Sequence, residues 1–475
     1  MTDALLERHS LRNMLLRKSL SAFIQKTFGV VSAGDPYLHN WHIDLIAQYL
    51  EACYRGDIKR LIINIPPRYL KSICASVAFP AWLLGQDPTR KIVSVSYSND
   101  LALKHSTDCK QTMESTFYRE IFPATRISRT RNTQMEYATT MGGIRLATSV
   151  GGTLTGLGGD FIILDDPLKP MDALSDANRK AVNDWFDSTL YSRLNDKKNG
   201  CIIIVMQRLH QDDLVGHVLG QEEWVHLTIP ALADARHEFD VRPHLLRPYK
   251  IIREPGDALH PRRETAAQLL KLKTDIIGSY VFASQYQQEP APVGGGIIKW
   301  AWFRKFSELP EEKPDRVIQS WDTASKAEEA HDYSVCTTWH EYKRGYYLVD
   351  IFRQRLEFPD LRRAILSQAE KYKPDAILIE DKGSGIHLIQ DLQQTTKLSV
   401  IAYAPQGDKL TRMMAQTPKI EAGRVLIPDQ AAWLSEFELE VTRFPNAKYD
   451  DEIDSMSQAL DWIGRPMQEW GFGWI

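Results

Sequence analysis

A lysine and a serine follow a short apolar segment in a pattern that can bind phosphate. Residues 61–65 read Leu-Ile-Ile-Asn-Ile and lead through Pro-Pro-Arg-Tyr-Leu into Lys71 and Ser72. A strand, a tight loop and a helix in this order present backbone N–H groups to an anion. Lys71 would contact the β- and γ-phosphates of a nucleotide, and the Ser72 hydroxyl would ligate Mg²⁺. Both glycines of GxxxxGK[ST] are missing, so a Pro-terminated strand with a solvated lysine is the alternative.

Two adjacent carboxylates follow a second apolar segment, Phe161 to Leu164. Asp165 and Asp166 stand directly before a proline. The carboxyl end of a buried parallel strand lies in the crevice where α/β sheets bind ligands. Asp165 can therefore hold Mg²⁺ through water, while Asp166 can orient or deprotonate an attacking water. The alternative is an acidic N-cap of the following helix.

A third apolar segment, Cys201 to Met206, ends in Gln207. A polar side chain at this strand end can sense the γ-phosphate of a nucleotide and couple its hydrolysis to movement. We therefore predict that Gln207 completes the site formed by the lysine and the two carboxylates.

Acidic residues in the second half of the chain occur at three separate points. Asp322 ends the predicted strand 317–321, Glu380 and Asp381 follow the predicted strand 375–379, and residues 450–454 read Asp-Asp-Glu-Ile-Asp before a predicted helix. Such points can converge into a cage of hard oxygen ligands for two Mg²⁺ or Mn²⁺ ions. Two ions about 4 Å apart can hydrolyse a phosphodiester. Any one of these acids alone is better explained as a helix cap or surface charge.

The elements that must position these residues are strands alternating with helices. This alternation predicts an α/β fold with a mostly parallel sheet in the first half. Residues 288–297, rich in Pro and Gly, are the predicted linker. We expect an N-terminal helical segment (1–40), an α/β domain (41–235), a bridging subdomain and linker (236–297), and a second α/β domain (298–475) that begins with a hairpin.

The composition indicates a globular protein of two or three domains. The chain has 475 residues, of which 43% are hydrophobic and 25% charged. A net charge of −3 neither supports nor excludes DNA binding. The five cysteines lack zinc-ligand spacing, which favours a reducing compartment. We expect no signal peptide and no membrane-spanning stretch, and hence a protein that works in a cytoplasm.

Three motifs together resemble those of a known family. Pro-Pro-Arg-x-x-Lys-Ser, Ile-Leu-Asp-Asp-Pro and Val-Met-Gln-Arg-Leu-His-Gln-Asp-Asp-Leu occur here in the order of the ATPase motifs of tailed-phage large terminase subunits. The resemblance implies that 41–235 is a P-loop (RecA/ASCE-like) ATPase domain. It also implies that Arg68 matches an arginine of the family's phosphate loop, so ATP would be bound by Arg68, Lys71, Ser72 and Asp165.

The charge-stabilising arginine of the resemblance is not matched at its usual place. The segment 151–159 is similar to a Gly-rich segment of the family, but many relatives have an arginine near Leu157. Arg145, Arg208 and an arginine from a neighbouring subunit are the alternatives. An exposed Gly-rich hinge is an equally good interpretation of the segment.

The second half resembles the RNase H-like nuclease domain of the same family. By motif position, the resemblance implies that 298–475 is an α/β endonuclease domain whose metal ligands are Asp322, Glu380, Asp451 and Asp454. Asp454 lies one helical turn after Asp451, so both can face one site. Asp450 is the alternative to Asp451, and Asp381 competes with Glu380.

Two further pairs of residues could contact ligands. Lys409 and Arg412, on a predicted helix, could contact the DNA backbone near the acids, and solvated surface charge is the equal alternative. Trp41 and His42 resemble the region where relatives contact adenine, although a core aromatic beside a capped histidine is the favoured interpretation.

The resemblance implies a DNA-packaging motor with ATP and Mg²⁺ as cofactors and Mn²⁺ possible in the nuclease site. About five copies would act on a portal ring and move double-stranded DNA into a procapsid, while a small terminase subunit selects the start site. The nuclease would cut concatemeric DNA, and the work would take place in the cytoplasm of the bacterial host. A helicase-like DNA remodeller, a resolvase or transposase, and a catalytically decayed prophage remnant that binds portal or DNA are the competing hypotheses.

Overall fold

The chain folds into two compact units. The computed structural model describes residues 3–152, 154, 156, 158–245, 247–290, 297–323, 333–382, 384–445 and 449–463. The first unit comprises residues 1–270 and 280–291, and the second comprises residues 271–279 and 292–475. Helices α9 (Ala266–Leu272) and α10 (Gly278–Val281) contain points where the chain passes from one unit to the other.

The first unit is built on an eight-stranded sheet with the order β3-β4-β5-β2-β6-β7-β1-β8. Its strands are β1 (Arg60–Asn64), β2 (Lys91–Ser96), β3 (Ile127–Asn132), β4 (Glu136–Thr139), β5 (Ile144–Ser149), β6 (Phe161–Asp165), β7 (Cys201–Met206) and β8 (Val225–Thr228). The strands from β5 to β8 in this order pair in parallel, whereas β3 and β4 are antiparallel additions at one edge. The three strands predicted here from apolar runs are confirmed as β1, β6 and β7; the polar edge pair was not predicted.

Helices cover both faces of this sheet. They are α1 (Asp3–Lys18), α2 (Leu20–Val31), α3 (Trp41–Arg55), α4 (Phe79–Gln86), α5 (Asn99–Glu114), α6 (Thr116–Ile121), α7 (Asp176–Trp185) and α8 (Leu214–Leu219). Successive side chains of a strand point to opposite faces. Leu61 and Ile63 of β1 therefore pack in a core with α2 and α3, whereas Ile62 packs in a second core with α7 and α8.

The Pro- and Arg-rich stretch after β8 packs back on the first unit. It begins with a hairpin of β9 (His237–Val241) and β10 (Tyr249–Arg253). The rings of Trp41 and Phe239 lie 4.8 Å apart. The Asn40 side-chain amide donates to the carbonyl of Leu259 at 2.8 Å. Helix α3 and the chain just before it are thus fixed by residues about two hundred positions later.

The second unit is built on a seven-stranded mixed sheet with the order β11-β17-β14-β13-β12-β15-β16. Its strands are β11 (Arg304–Phe306), β12 (Arg316–Asp322), β13 (Ser334–Tyr342), β14 (Gly345–Gln354), β15 (Ala376–Glu380), β16 (Val400–Tyr403) and β17 (Val425–Pro428), and its helices are α11 (Phe358–Tyr372), α12 (Ser384–Thr395), α13 (Lys409–Glu421), α14 (Leu434–Arg443) and α15 (Asp451–Ile463). The predicted hairpin is confirmed as β13–β14, with β12 antiparallel to β13 and parallel to β15.

Helix α15 is fixed to the sheet of the second unit by a buried serine. The Ser455 hydroxyl donates to the carbonyl of Ser320 at 2.7 Å and accepts from the backbone N–H of Thr337 at 3.1 Å. The Ser320 hydroxyl donates in return to the Ser455 carbonyl at 2.8 Å. These bonds place the first turns of α15 against the end of β12.

In the part of the chain that the structure describes, no helix is both long enough and apolar enough to cross a membrane. The five cysteines are all buried and carry free thiols: Cys53, Cys74, Cys109, Cys201 and Cys336.

Replacing Ser455 with alanine should destabilise the second unit by about 1–3 kcal/mol, because the buried N–H of Thr337 loses its partner. Ser457→Ala is the matched control, since Ser457 is equally buried on the same helix but donates only to the carbonyl of Asp454 in its own helix. Urea denaturation followed by tryptophan fluorescence measures both variants. Equal losses would show that the bonds of Ser455 do not hold α15.

Candidate nucleotide and metal sites

The loop between β1 and Lys71 has a glycine-like backbone without glycine. Arg68 has φ 70° and Leu70 has φ 64°, both in the left-handed region. Leu70 occupies the position of the second glycine in the usual phosphate-loop pattern. The left-handed conformation costs a residue with a side chain about 1–2 kcal/mol. The loop therefore has a glycine-like backbone at an energetic cost, and Lys71, which follows it, is buried rather than solvated.

Tyr69, between these two residues, is buried. Its hydroxyl donates to Oε2 of Glu264 at 3.0 Å, and Nε2 of His42 lies 3.3 Å from its carbonyl oxygen. Burial lowers the pKa of His42 to about 3, so this ring is neutral at neutral pH. The core interpretation of Trp41 and His42 is confirmed, because His42 is buried and Trp41 packs on Phe239.

Five predicted residues meet at the carboxyl ends of three adjacent strands. β7 is the middle strand of the three. Gln207 follows it, Lys71 follows the loop after β1 on one side, and the two carboxylates lie at the end of β6 on the other side. The Lys71 ammonium, with a side chain only 6% exposed, donates to Oε1 of Gln207 at 2.6 Å and lies 3.1 Å from Oδ2 of Asp166. The Ser72 hydroxyl donates to Oδ1 of Asp165 at 3.1 Å. Lysine, serine, two carboxylates and an amide thus form one polar cluster in a mostly apolar sheet.

The two carboxylates of this cluster have perturbed acidities. Burial raises the pKa of both Asp165 and Asp166, while Lys71 acts in the opposite direction. Asp166 has φ 45°, a left-handed conformation that recurs at functional sites. It does not cap a helix, since the N-cap of α7 is Ser175. The capping alternative is therefore wrong, and Asp166 remains available for chemistry.

A histidine that was not predicted adjoins this cluster. Nδ1 of His105, on α5, lies 3.5 Å from Oδ2 of Asp165. Burial, and then the neighbouring Arg145, lowers the pKa of His105 to about 4, so the ring is neutral. The sequence shows only a histidine inside an amphipathic helix, and nothing local connects it with a carboxylate sixty residues later.

Of the arginines considered for charge stabilisation, Arg208 is engaged by a carboxylate, whereas Nε and Nη1 of Arg145 have no hydrogen-bond partner among the described residues. Arg145 is completely buried and donates to the carbonyl of Ser76 at 3.2 Å. Nε of Arg208 contacts both carboxylate oxygens of Asp213, at 3.1 and 3.0 Å. The position of Leu157 lies outside the described residues. Arg68 is exposed beside the phosphate loop.

The acids of the second unit meet at the ends of two neighbouring strands. Trp321 of β12 pairs in parallel with Ile379 of β15, so Asp322 and Glu380 follow at adjacent positions of one sheet edge. Asp451 begins α15, which packs on β12. Three segments distant in sequence therefore contribute acids to one region, as the ordered triple predicts.

The neighbouring acids affect the acidity of Asp322. Burial raises the pKa of Asp322 well above its usual range, and the charges of Asp454, Asp451 and Glu380 raise it further. Glu380 is half-buried, whereas the competing Asp381 is exposed. An excess of negative charge is thus concentrated around Asp322.

Cations from α13 already neutralise part of this charge. Nζ of Lys409 lies 2.7 Å from Oδ1 of Asp450 and 2.6 Å from Oδ2 of Asp454. Arg412 lies 2.8 Å from the other oxygen of Asp454. In the described ranges, no three His, Cys, Asp or Glu side chains converge closely enough to hold a metal ion. The acids lie near one another but are not arranged as a finished cage.

A second buried acidic cluster lies on the other side of α15. Nη1 of Arg353 is 2.9 Å from Oε1 of Glu452 and 3.7 Å from Oε2 of Glu440. Burial, followed by the charge of Glu452, raises the pKa of Glu440 to about 8. This cluster was not predicted, because its members come from three distant segments. Because Glu440 and Glu452 share one arginine, ionisation of Glu440 lowers the stability of the second unit.

Comparison with known proteins places both units. Residues 319–461 match the family model of the terminase RNaseH-like domain. The large terminase of a thermophilic bacteriophage is similar at 11% identity, over 90% of this chain and 99% of that chain, with a TM-score of 0.51. In complex with ATP-gamma-S it matches at 12% identity over the same shares, with a TM-score of 0.51. The HK97 bacteriophage large terminase matches at 11% identity over 93% and 98%, with a TM-score of 0.37. No curated protein matches the chain.

These similarities confirm the predicted fold class. The chain has an α/β fold in which a sheet with mostly parallel strands is followed by an RNase H-like domain, and its fold is similar to that of a bacteriophage large terminase. The polar cluster around Lys71 lies in the first of these two parts, and the acids around Asp322 lie in the second.

Glu440→Gln should stabilise the second unit increasingly as pH rises. The carboxyl titrates at about 4.3 in the unfolded chain and at about 8 when folded. Between these values the folded state retains a proton that the unfolded state has lost, so the wild type loses stability as pH increases. The advantage of the glutamine variant should grow by up to about 1.4 kcal/mol per pH unit from pH 5 to 8.

Urea denaturation at several pH values tests this expectation. Glu438→Gln is the control, since Glu438 is exposed on the same helix, and its effect should not change with pH. A pH-independent difference between Glu440→Gln and the wild type would mean that Glu440 is ionised throughout.

Proposed function

We propose that this chain, which has the fold of a bacteriophage large terminase subunit and carries a terminase RNaseH-like domain, is an ATP-driven DNA-packaging motor. Its first unit would hydrolyse ATP to move double-stranded DNA into a procapsid, and its second would cut concatemeric DNA. The observation that carries the proposal is the contact of Lys71 with Gln207 and Asp166 at one sheet edge. The acids around Asp322 in the same chain supply the second activity.

The first site fits Mg²⁺ bound with a nucleotide. The Ser72 hydroxyl and the Asp165 carboxylate lie 3.1 Å apart and offer hard oxygen ligands. Oδ2 of Asp165 is buried and lies 3.5 Å from Nδ1 of His105, and this oxygen would also face the ion. Ser72 and Asp165 would hold the ion, and it would neutralise charge on the phosphates during transfer.

The side chains of this site would exchange partners when ATP binds. Lys71 would leave Asp166 and Gln207 for the β- and γ-phosphates, to which an ammonium is attracted more strongly. Asp166, released from the ammonium, would orient the attacking water and accept its proton. Its raised pKa makes it a stronger base than an exposed aspartate. Gln207 would contact the γ-phosphate and report its loss.

An arginine from a neighbouring copy would complete the first site. Arg145 is completely buried, and Arg208 is held by Asp213, so moving either toward a phosphate would leave a buried group without its partner. Arg68 is exposed on the loop and would bind the nucleotide phosphates. We propose a ring of about five copies, in which an arginine of the next subunit contacts the nucleotide in each site.

The second site fits divalent ions by the chemistry of its donors. Asp322, Glu380, Asp451 and Asp454 offer hard oxygens that suit Mg²⁺ or Mn²⁺. Such ions would supply Lewis acidity and activate water for phosphodiester hydrolysis. Lys409 and Arg412 would release Asp454 and become free to contact the DNA backbone, which reconciles their present ion pairs with the role expected from sequence.

The partners and the location follow from the packaging function. We propose that the ring docks on the portal protein of an empty capsid, that a small terminase subunit selects the start site, and that the work occurs in the host cytoplasm. A helicase-like remodeller is disfavoured because the second sheet is mixed, with β12, β13 and β14 antiparallel. A decayed remnant is disfavoured because the phosphate loop keeps its left-handed residues.

Substitutions in the first site should remove ATP hydrolysis and leave DNA cleavage intact. Lys71→Ala and Asp166→Asn should each lower turnover at least about a hundredfold, because they remove charge stabilisation and the base. Plasmid cleavage in Mn²⁺ by the same proteins should stay within about twofold of the wild type. Loss of both activities in these variants would contradict the assignment of separate sites.

Asp322→Ala should have the opposite effect. We expect metal-dependent cleavage to fall by at least about a hundredfold, with unchanged ATP hydrolysis. Asp315→Ala is the matched control, since Asp315 is exposed just before the other end of the same strand. If Asp322→Ala cuts plasmid at the wild-type rate, the acids around Asp322 are not the nuclease site.

A further inference from the structure

Tyr69 is buried between the two left-handed residues of the glycine-free loop. We propose that Tyr69 is a positioning residue that fixes the glycine-free loop in its nucleotide-binding conformation through contacts with residues 259–264. This inference rests on the proposed nucleotide binding of the first unit. It adds a dependence of that binding on a segment almost two hundred residues away.

The loop needs an external hold because its backbone is strained. Arg68 and Leu70 both adopt the left-handed conformation that disfavours residues with a side chain. Such conformations persist only when the surrounding structure over-determines them. The exposed side chain of Arg68 cannot supply that hold, and Leu70 is only half-buried. Tyr69, between them, is 1% exposed.

Tyr69 is held at both its side chain and its backbone. Its hydroxyl donates to Glu264 at 3.0 Å, and its ring meets the ring of His42 edge-on at 5.8 Å and the guanidinium of Arg263 at 5.9 Å. The amide nitrogen of Asn40 lies 2.7 Å from Nδ1 of His42, which makes Nδ1 the acceptor and leaves the proton on Nε2. Nε2 therefore donates to the Tyr69 carbonyl at 3.3 Å.

The partners of Tyr69 are themselves anchored in the first unit. Asn40 also donates to the carbonyl of Leu259, and Nε2 of His260 lies 3.2 Å from the carbonyl of Leu38. The backbone N–H of Leu259 donates to Ala231 at 2.7 Å. Residues 259–264 thus form a fixed support, and Tyr69 connects the loop to it.

The physical consequence is a coupling between the support and nucleotide affinity. Without the contacts of Tyr69, Arg68 and Leu70 can relax to right-handed φ values, and only a fraction of molecules keeps the binding conformation. Apparent affinity falls in proportion to that fraction. A glycine at position 70 adopts positive φ at no cost and should make affinity less dependent on Tyr69, because only Arg68 then remains strained.

A double-substitution experiment on the full-length protein tests the proposal. Tyr69→Phe and Glu264→Leu each remove the hydroxyl–carboxylate bond with little change in volume. We expect each to weaken the binding of a fluorescent ADP analogue about tenfold. Combining either with Leu70→Gly should reduce the loss to about threefold relative to the Leu70→Gly variant, because one of the two left-handed positions no longer has an energetic cost. A purely structural role of Tyr69 would not be rescued by a glycine.

Tyr118→Phe is the matched control. Tyr118 is also fully buried in the first unit, and its hydroxyl donates to the carbonyl of Ala81 at 2.8 Å. This variant should lose thermal stability comparably but bind the analogue like the wild type. Wild-type affinity in Tyr69→Phe and Glu264→Leu, or an undiminished loss when Leu70→Gly is combined with either, would overturn the role of Tyr69. Absence of binding by the wild type would instead overturn the proposed ATPase function on which the inference rests.

Discussion

The buried ammonium of Lys71 constrains the whole first unit. A charge almost excluded from water must have compensating partners, and here they are the carboxylate of Asp166 and the amide of Gln207. These partners come from the ends of two other strands. The strand order β6-β7-β1, with all three strands parallel, brings these partners to one ammonium. The position of the polar cluster thus meets the requirement of charge compensation, while the apolar faces of the sheet account for the helices that cover it.

In the second unit, unlike the first, buried charges are not fully compensated by partners of opposite sign. Around Asp322, the carboxylates exceed the cations that face them, and burial keeps the pKa of Asp322 raised. Lys409 and Arg412 pair with Asp454, so they compensate only part of the negative charge in this region. A second excess, around Arg353, lies on the other side of the same helix. Helix α15 is therefore placed between two groups of like charges, and its buried Ser455 bonds to the strands oppose that repulsion.

Local patterns predicted the strands and the acids, because buried strands are continuous apolar runs and functional polar residues follow their ends. They could not predict contacts that depend on tertiary packing. His105 beside Asp165 and the Tyr69 contact with Glu264 join residues 60 to 195 positions apart. The Pro- and Arg-rich stretch after β8 has no clear local pattern for the same reason, since its hairpin is specified by packing on Trp41. Because the loop lacks glycine, its sequence does not match the usual phosphate-loop motif, although its backbone retains the expected conformation.

The left-handed conformation at Leu70 also bears on how this loop can change over generations. A glycine encodes the conformation within one codon, whereas here it depends on residues scattered from position 40 to 264. A mutation to glycine at position 70 would free those residues to vary, and its reversal would demand that they be restored first. Lineages should thus pass more readily from this state to the glycine-containing one than back, so that the glycine-free loop is easier to lose than to regain.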